Sequence, residues 1–243
     1  MCSPVISFAK QKNSSTHKDV YEQQQKKGLP YVELLKACAK KKDIQRGSWL
    51  HSEILRRGFL ERNPYLGSSL ISMYAKCGVL TKAQQVHDEL RVRTIVSWNA
   101  LISGYAQHGR SIEAIECFEN MKKNEENISP DDITFACILK ACGNIGDAGK
   151  GQEIHEEIVK RGLLWRKNIV LGNALVDMYV KCGMLAKAHQ VHDELCIRDV
   201  VSWSALIAGY AKSGQGHKAL DCFEQMRSEG IAANAITFTC LLK

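Results

Sequence analysis

The sequence is poor in the residues that interrupt helices and in the motifs that carry chemistry. Four prolines in 243 residues leave long stretches free to be helical, because proline is the residue that removes a helical hydrogen bond and clashes with the preceding turn. No apolar run approaches the roughly 18 residues of a membrane span, so neither a membrane-embedded segment nor a membrane partner is expected. The ten cysteines never form a C-x-x-C pair. They recur with a repeat instead: Cys77 matches Cys182, Cys117 matches Cys222, and Cys38 matches Cys142. Buried free thiols in a reducing compartment are expected in place of a disulfide or metal framework.

Enzyme signatures are missing too. There is no glycine-rich phosphate loop and no nucleophile elbow. H-x-E occurs at His51, His87, His155 and His192, but a zinc deaminase needs the P-C-x-x-C that supplies its two thiolate ligands, and none follows. His189 and His192 form an H-x-x-H without an evident third ligand. No catalysis, metal or cofactor is expected.

What the chain has is itself, twice. Leu66–Met121 and Leu171–Met226 align without a gap at a spacing of 105, with 33 of 56 positions identical. A shorter unit recurs inside each copy: MYAKCGVLTKAQQVHDEL is echoed by GYAQHGRSIEAIECFENM. Within one unit, Leu101, Ile102, Tyr105 and Ala106, then Ala114, Ile115, Phe118 and Met121, fall on two helical stripes. Gly109 sits between them, where a tight turn is needed. Each unit is therefore expected to be a helix, a turn and a helix. Such a hairpin cannot bury its apolar face alone, so neighbours must stack, and the expected fold is all-α, an α-solenoid superhelix.

Charge and the first residues add little. Lys plus Arg exceed Asp plus Glu by 33 to 26, a formal net charge of +7, which permits a polyanionic partner without requiring one. Residues 1–27 carry Ser3, Ser7, Ser14 and Ser15 among lysines, with no acid before Asp19 and no arginine. They read either as the remnant of an organelle-targeting segment or as a degenerate first repeat. Lys40–Lys42 and Lys122–Lys123 are candidate phosphate contacts or solvated helix ends.

LLKAC, GSWLHSEI and GQEIHEEI, MYAKCG, VSWNALISGYAQHG and VSWSALIAGYAKSG resemble the pentatricopeptide repeats of plant organellar RNA-binding proteins, in particular the PLS subclass, in which long, short and standard motifs alternate. In that register the motifs are long 28–63, short 64–94, standard 95–131, long 132–168, short 169–199 and standard 200–234, with a truncated long motif at 235–243. The resemblance implies a right-handed superhelix and single-stranded organellar RNA as partner, in mitochondrion or chloroplast, with one base read per repeat. The implied reading pairs, at the fifth and last positions, are Ser68 with Thr94, Asn99 with Asp131, Asn173 with Asp199, and Ser204 with Asn234. The long motifs offer Val32 with Asn63 and Ala136 with Asn168. The second residues, Tyr65, Val96, Ile133, Val170, Val201 and Ile236, are implied to sandwich successive bases, the alternative being packing at the mouth of the first helix. Trp98 and Trp203, at the fourth position, are expected in the core.

The chemistry of those pairs follows from hydrogen-bonding inventories. Uracil N3 and guanine N1 carry a hydrogen, which suits an acceptor-only Asp; adenine N1 and cytosine N3 accept, which suits an Asn amide. At the fifth position Ser leaves room for a purine and Asn reaches a pyrimidine. Asn99/Asp131 and Asn173/Asp199 should prefer U, Ser204/Asn234 should prefer A, and Ser68/Thr94 a purine at best. Val32 and Ala136 cannot hydrogen-bond a base, so the long motifs should discriminate poorly.

The PLS resemblance further implies site recognition for C-to-U RNA editing. The E and DYW domains that follow in such proteins are absent from this sequence, so editing-complex proteins or a deaminase would act in trans or belong to a missing C-terminus. Competing expectations are an RNA stability, splicing or processing factor acting by occupancy, a tetratricopeptide-like protein scaffold, and a gene fragment with too few readers, since the chain ends inside a helical pattern without a capping repeat.

Overall fold

The computed structural model describes residues 30–61, 63–124, 128–163 and 168–242; the 1–27 segment and Cys2 lie outside them. Thirteen α-helices and no strand occur among the described residues. They are α1 (30–41), α2 (Ile44–Arg56), α3 (Pro64–Lys76), α4 (Leu80–Glu89), α5 (Ile95–Gln107), α6 (Ser111–Asn124), α7 (Asp132–Ile145), α8 (Ala148–Lys160), α9 (Ile169–Lys181), α10 (Leu185–Glu194), α11 (Val200–Lys212), α12 (Gly216–Ser228) and α13 (Ala235–Leu241). The chain divides into two compact units, the first ending at Gly104 and the second beginning at Tyr105, inside α5. Each is built as an α-solenoid.

Helix boundaries follow local chemistry. The first helix of each hairpin opens on a polar N-cap: Asn63, Asp131, Asn168, Asp199 and Asn234 each accept a hydrogen bond from a backbone N–H of the first turn, satisfying donors that the helix itself leaves unpaired. Each hairpin turn then needs a left-handed residue. Gly109 and Gly214 supply it at φ 74° and 73°, and the chain re-enters with Arg110 and Gln215 donating back to the carbonyls of Tyr105 and Tyr210.

In the first unit, α3 packs against α4 and α2 against α3. Of the stripe residues, Leu101, Ile102, Tyr105, Ala106, Ala114, Phe118 and Met121 are buried, while Ile115 is half-buried; on α3, Leu66, Leu70, Ile71, Met73 and Tyr74 are buried likewise, each fully buried large side chain contributing about 1.5–3 kcal/mol by leaving water. In the second unit, α7, α9, α11 and α13 pack side by side in that order, while α8, α10 and α12 cover them as second layer. One core cluster there is Trp203, Ile207, Tyr210, Ala219, Cys222 and Met226. Trp98 is likewise buried, so Trp98 and Trp203 are core residues.

Repeat identity extends to the tightest contacts. Gly67 and Gly172 are approached by the side chains of Leu90 and Leu195, close enough that a Cβ would meet them at 2.5 and 2.8 Å. The nine described cysteines are all free thiols. Burial pushes the Cys142 thiol up to about 12 and that of Cys222 to about 11.

Candidate nucleic-acid interface

The N-termini of the first helices are where the sequence-predicted residues gather. Each such helix begins with the same three-residue pattern: a capping polar residue, one intervening residue, and a large apolar one. In the first unit these are Asn63 before Tyr65 and Thr94 before Val96; in the second, Asp131 before Ile133, Asn168 before Val170, Asp199 before Val201 and Asn234 before Ile236. The six apolar residues are between 54 and 68% exposed. Single exposed hydrophobics are ordinary on a protein surface, but six at one helical position form a pattern that core packing does not explain.

The capping residues are fixed by reciprocal bonds. Asp131 accepts from the N–H of Thr134 while the Thr134 hydroxyl accepts from Asp131 N–H. The same box joins Asp199 to Ser202 and Asn234 to Thr237, and Thr94 to Ser97 through bonds of 2.9 and 3.2 Å. Ser97, Thr134, Ser202 and Thr237 are all buried. Each of the four stands three residues after its cap, the spacing of a capping box.

In the second unit, the fifth-position residues Asn173 and Ser204 point toward the caps of α11 and α13. Asn173 Nδ2 donates to both carboxylate oxygens of Asp199, at 3.1 and 3.2 Å, across 26 residues. Asp199 Oδ1 also takes the N–H groups of Val201 and Ser202, so one carboxylate caps the helix and receives the amide. Asn173 Oδ1 is buried without a hydrogen-bond partner among the described residues. Ser204 Oγ lies 2.8 Å from Thr237 Oγ1, which donates in turn to Asn234 Oδ1 at 3.1 Å. The two members of each of these pairs are thus joined, directly or through one hydroxyl. Ser68 is buried on α3 and Asn99 on α5 in the first unit, whereas Asp131 belongs to the second.

The long-motif positions differ. Val32 and Ala136 are half-buried. Asn63 is buried and caps α3 through the N–H of Tyr65. Asn168 caps α9 through Leu171 and spends an amide hydrogen on Asp132 Oδ2 at 2.6 Å.

Two family models match this chain. One described as the PPR repeat family covers residues 93–144 and 198–243, and one described as PPR repeat covers 68–95 and 173–200; between them they span more than half of the sequence. The chain belongs to the pentatricopeptide repeat family. Similar relatives include two pentatricopeptide repeat-containing proteins of Arabidopsis thaliana. One, named mitochondrial, is 38% identical over 214 residues, 88% of this chain and 45% of that protein. The other, named chloroplastic, is 36% identical over 210 residues, 86% of this chain and 33% of that protein. A crystal structure of the pentatricopeptide repeat protein PPR10 in complex with an 18-nt psaJ RNA element matches with a TM-score of 0.76 at 23% identity, over 94% of this chain and 35% of that one. That likeness establishes a shared fold. The chain spans less than half the length of each.

Within the pentatricopeptide repeat frame, the histidines of the four H-x-E triplets have structural places. His87 and His192 are buried against Trp98 and Trp203, with ring centroids 4.2 Å apart in both cases. Burial lowers their pKa to about 4. His51 and His155 hydrogen-bond the hydroxyls of Tyr74 and Tyr179 at 3.0 and 2.9 Å, and His189 does the same with Tyr210. No group of three or more His, Cys, Asp or Glu side chains poised for a metal occurs among the described residues. Lys122, a candidate phosphate contact, is paired with Glu157 at 2.9 Å and lies over the Phe118 ring.

Proposed function

We propose that this pentatricopeptide repeat chain binds single-stranded RNA sequence-selectively, with bases held between the exposed second residues and read by the capping and fifth-position side chains. The observation that carries the reading is the repeated juxtaposition at the first-helix N-termini: an exposed apolar residue two positions after a polar cap, with Asn173 brought onto Asp199 and Ser204 onto the Thr237–Asn234 pair. An apolar contact holds any base face; the neighbouring polar pair discriminates its edge. Support comes from the family and from the RNA-bound state of PPR10.

The base register of this reading, from the long motif at 28–63 onward and 5′ to 3′ along the chain, is N, purine, U, N, U, A. The motif frame, 28–63, 64–94, 95–131, 132–168, 169–199 and 200–234, is part of the proposal. So is an organellar setting, supported by relatives named mitochondrial and chloroplastic. The alternation of long, short and standard motifs favours a PLS-type role in locating sites for C-to-U editing, with the deaminase supplied by a partner.

The test is selection from random single-stranded RNA by the wild type and by Asp199→Asn. Asn caps a helix as well as Asp, so the variant should keep its thermal midpoint. It replaces an acceptor-only group by one that can donate, and the preference opposite that motif should move from U to C by roughly tenfold, the value of about 1.4 kcal/mol in edge discrimination. An unchanged base preference in the variant would sink the reading. So would failure of the wild type to retain RNA, the outcome expected of a peptide-binding scaffold.

A further inference from the structure

Three of the loops that deliver capping residues, those before Thr94, Asp131 and Asp199, are held by arginines. Arg93, just before Thr94, donates to the carbonyls of His87 and Asp88 at the end of α4. Arg198, just before Asp199, pairs with Glu229 at 2.9 Å, and the other oxygen of Glu229 accepts from Trp203 Nε1. At Asp131 the preceding residues are Ser129 and Pro130, and the arginine comes from elsewhere. Arg161, the C-cap of α8, reaches back across about thirty residues: Nη1 donates to Ser129 Oγ at 2.7 Å and to the Pro130 carbonyl at 3.1 Å.

The rest of the guanidinium is also committed. Nη2 pairs with Glu157, which is itself held by Lys122, and the guanidinium carbon lies 5.2 Å from the centroid of the buried Phe135 ring. Pro130 has no N–H, so its carbonyl is its one main-chain polar group, and Arg161 takes it. A planar fork fixed on one face by an aromatic ring and on one edge by a carboxylate presents its remaining donors in a single geometry. Those donors set where the chain enters α7.

Arg161, Ser129, Pro130, Asp131, Asp132 and Ile133 line one open cleft of about 760 Å³. The residue assigned to read a base edge and the residue assigned to hold a base face therefore share a wall with the segment that Arg161 anchors. Asn234 offers the contrast within the same unit: it is preceded by Ala232 and Ala233, and neither side chain can take a hydrogen bond from an arginine.

We propose that Arg161 is a positioning residue for base selection at Asp131, fixing the carboxylate at the cleft by anchoring Ser129 and Pro130. The inference rests on the RNA-reading proposal above. It does not require Arg161 to touch RNA. A base edge is discriminated only when the acceptor is held within a few tenths of an ångström of its place, so a loosened loop should lose selectivity before it loses fold.

The experiment measures binding of the full chain to RNAs differing only at the base opposite Asp131 or only at the base opposite Asp199, for wild type, Arg161→Lys and Arg161→Gln. Lysine keeps the charge but cannot span Ser129 Oγ, the Pro130 carbonyl and Glu157 with one planar group. Both variants should lose most of the preference for U opposite Asp131, about five- to tenfold, while the preference opposite Asp199 stays as in the wild type. Equal discrimination by variants and wild type at the Asp131 position would overturn the proposal. A parallel fall at both positions would also overturn it, by showing that Arg161 acts on the fold as a whole. A wild type that retains no RNA removes the reading beneath it, and a wild type that discriminates opposite Asp199 alone removes this inference and leaves that reading standing.

Discussion

His192 shows what a single residue does in this repeat. Its ring is fully buried on Trp203, and neither ring nitrogen has a hydrogen-bond partner among the described residues. Desolvation is the main cause that lowers its pKa to about 4, assisted by Arg198 and opposed by Asp193. The folded chain therefore holds the neutral imidazole, whereas the unfolded chain protonates near the ordinary value of 6.5. Stability from this site is complete above about pH 6.5 and is lost as pH falls from there toward 4, because protons bind the unfolded state preferentially. His87 repeats the arrangement in the first unit. Replacing His192 with Phe keeps a ring on Trp203 and removes the titration, so the variant should unfold at higher denaturant than the wild type at pH 4.5, by about 1–2 kcal/mol, and by much less at pH 7.5. Equal losses on acidification in both proteins, measured by urea titration, would show that acid sensitivity lies elsewhere.

At the scale of the element, the hairpin turn is a backbone requirement that the sequence satisfies unevenly. Gly146 closes α7 in the left-handed region at φ 72°, and Asp147 then caps α8. One repeat earlier, 104 residues back, the equivalent position is Lys42, the one non-glycine residue with positive φ among those described, at 54°, ahead of the N-cap Asp43. A side chain there costs on the order of 1 kcal/mol against the adjacent carbonyl. Lys42→Gly should therefore stabilise the fold by about 1 kcal/mol, less whatever the extra freedom of glycine in the unfolded chain removes, and so raise the thermal midpoint. A lower midpoint by calorimetry would mean that the lysine stem packs usefully. The same elements show what was legible beforehand. Two stripes flanking a glycine predicted helix, turn and helix, because the 3.6-residue period records which face is buried. The capping boxes were also written in the sequence, at Asp131/Thr134 and Asn234/Thr237. Arg161 was not legible, because a contact spanning 31 residues between a helix end and a loop has no local period. Nor was the bond from Asn168 to Asp132, which joins the two ends of one hairpin.

For the whole molecule, internal repetition made the fold readable: a unit that recurs with 33 of 56 identities must solve the same packing problem each time. The exposure of six second residues could not be read that way, since an apolar residue at a helix start is as consistent with packing as with solvent. Charge is the other property of the whole chain, and under the proposed RNA-binding reading it sets a scale for what phosphate contacts contribute. Many of the described basic groups are already paired with carboxylates: Arg57 with Glu53, Lys150 with Glu119, Lys181 with Asp177 and Arg198 with Glu229. The excess is a formal +7. If every excess charge displaced one counterion from single-stranded RNA, the logarithm of the affinity would fall with the logarithm of salt at a slope of about −5. Base reading by hydrogen bonds and apolar contacts releases no counterions, so the observed slope should be shallower than that. The ratio of affinities for U and C opposite Asp199 should stay constant between about 50 and 200 mM salt while both affinities fall. A steeper slope, or a ratio that collapses toward one as salt rises, would mean that phosphates account for the binding and that the capping residues serve the fold alone.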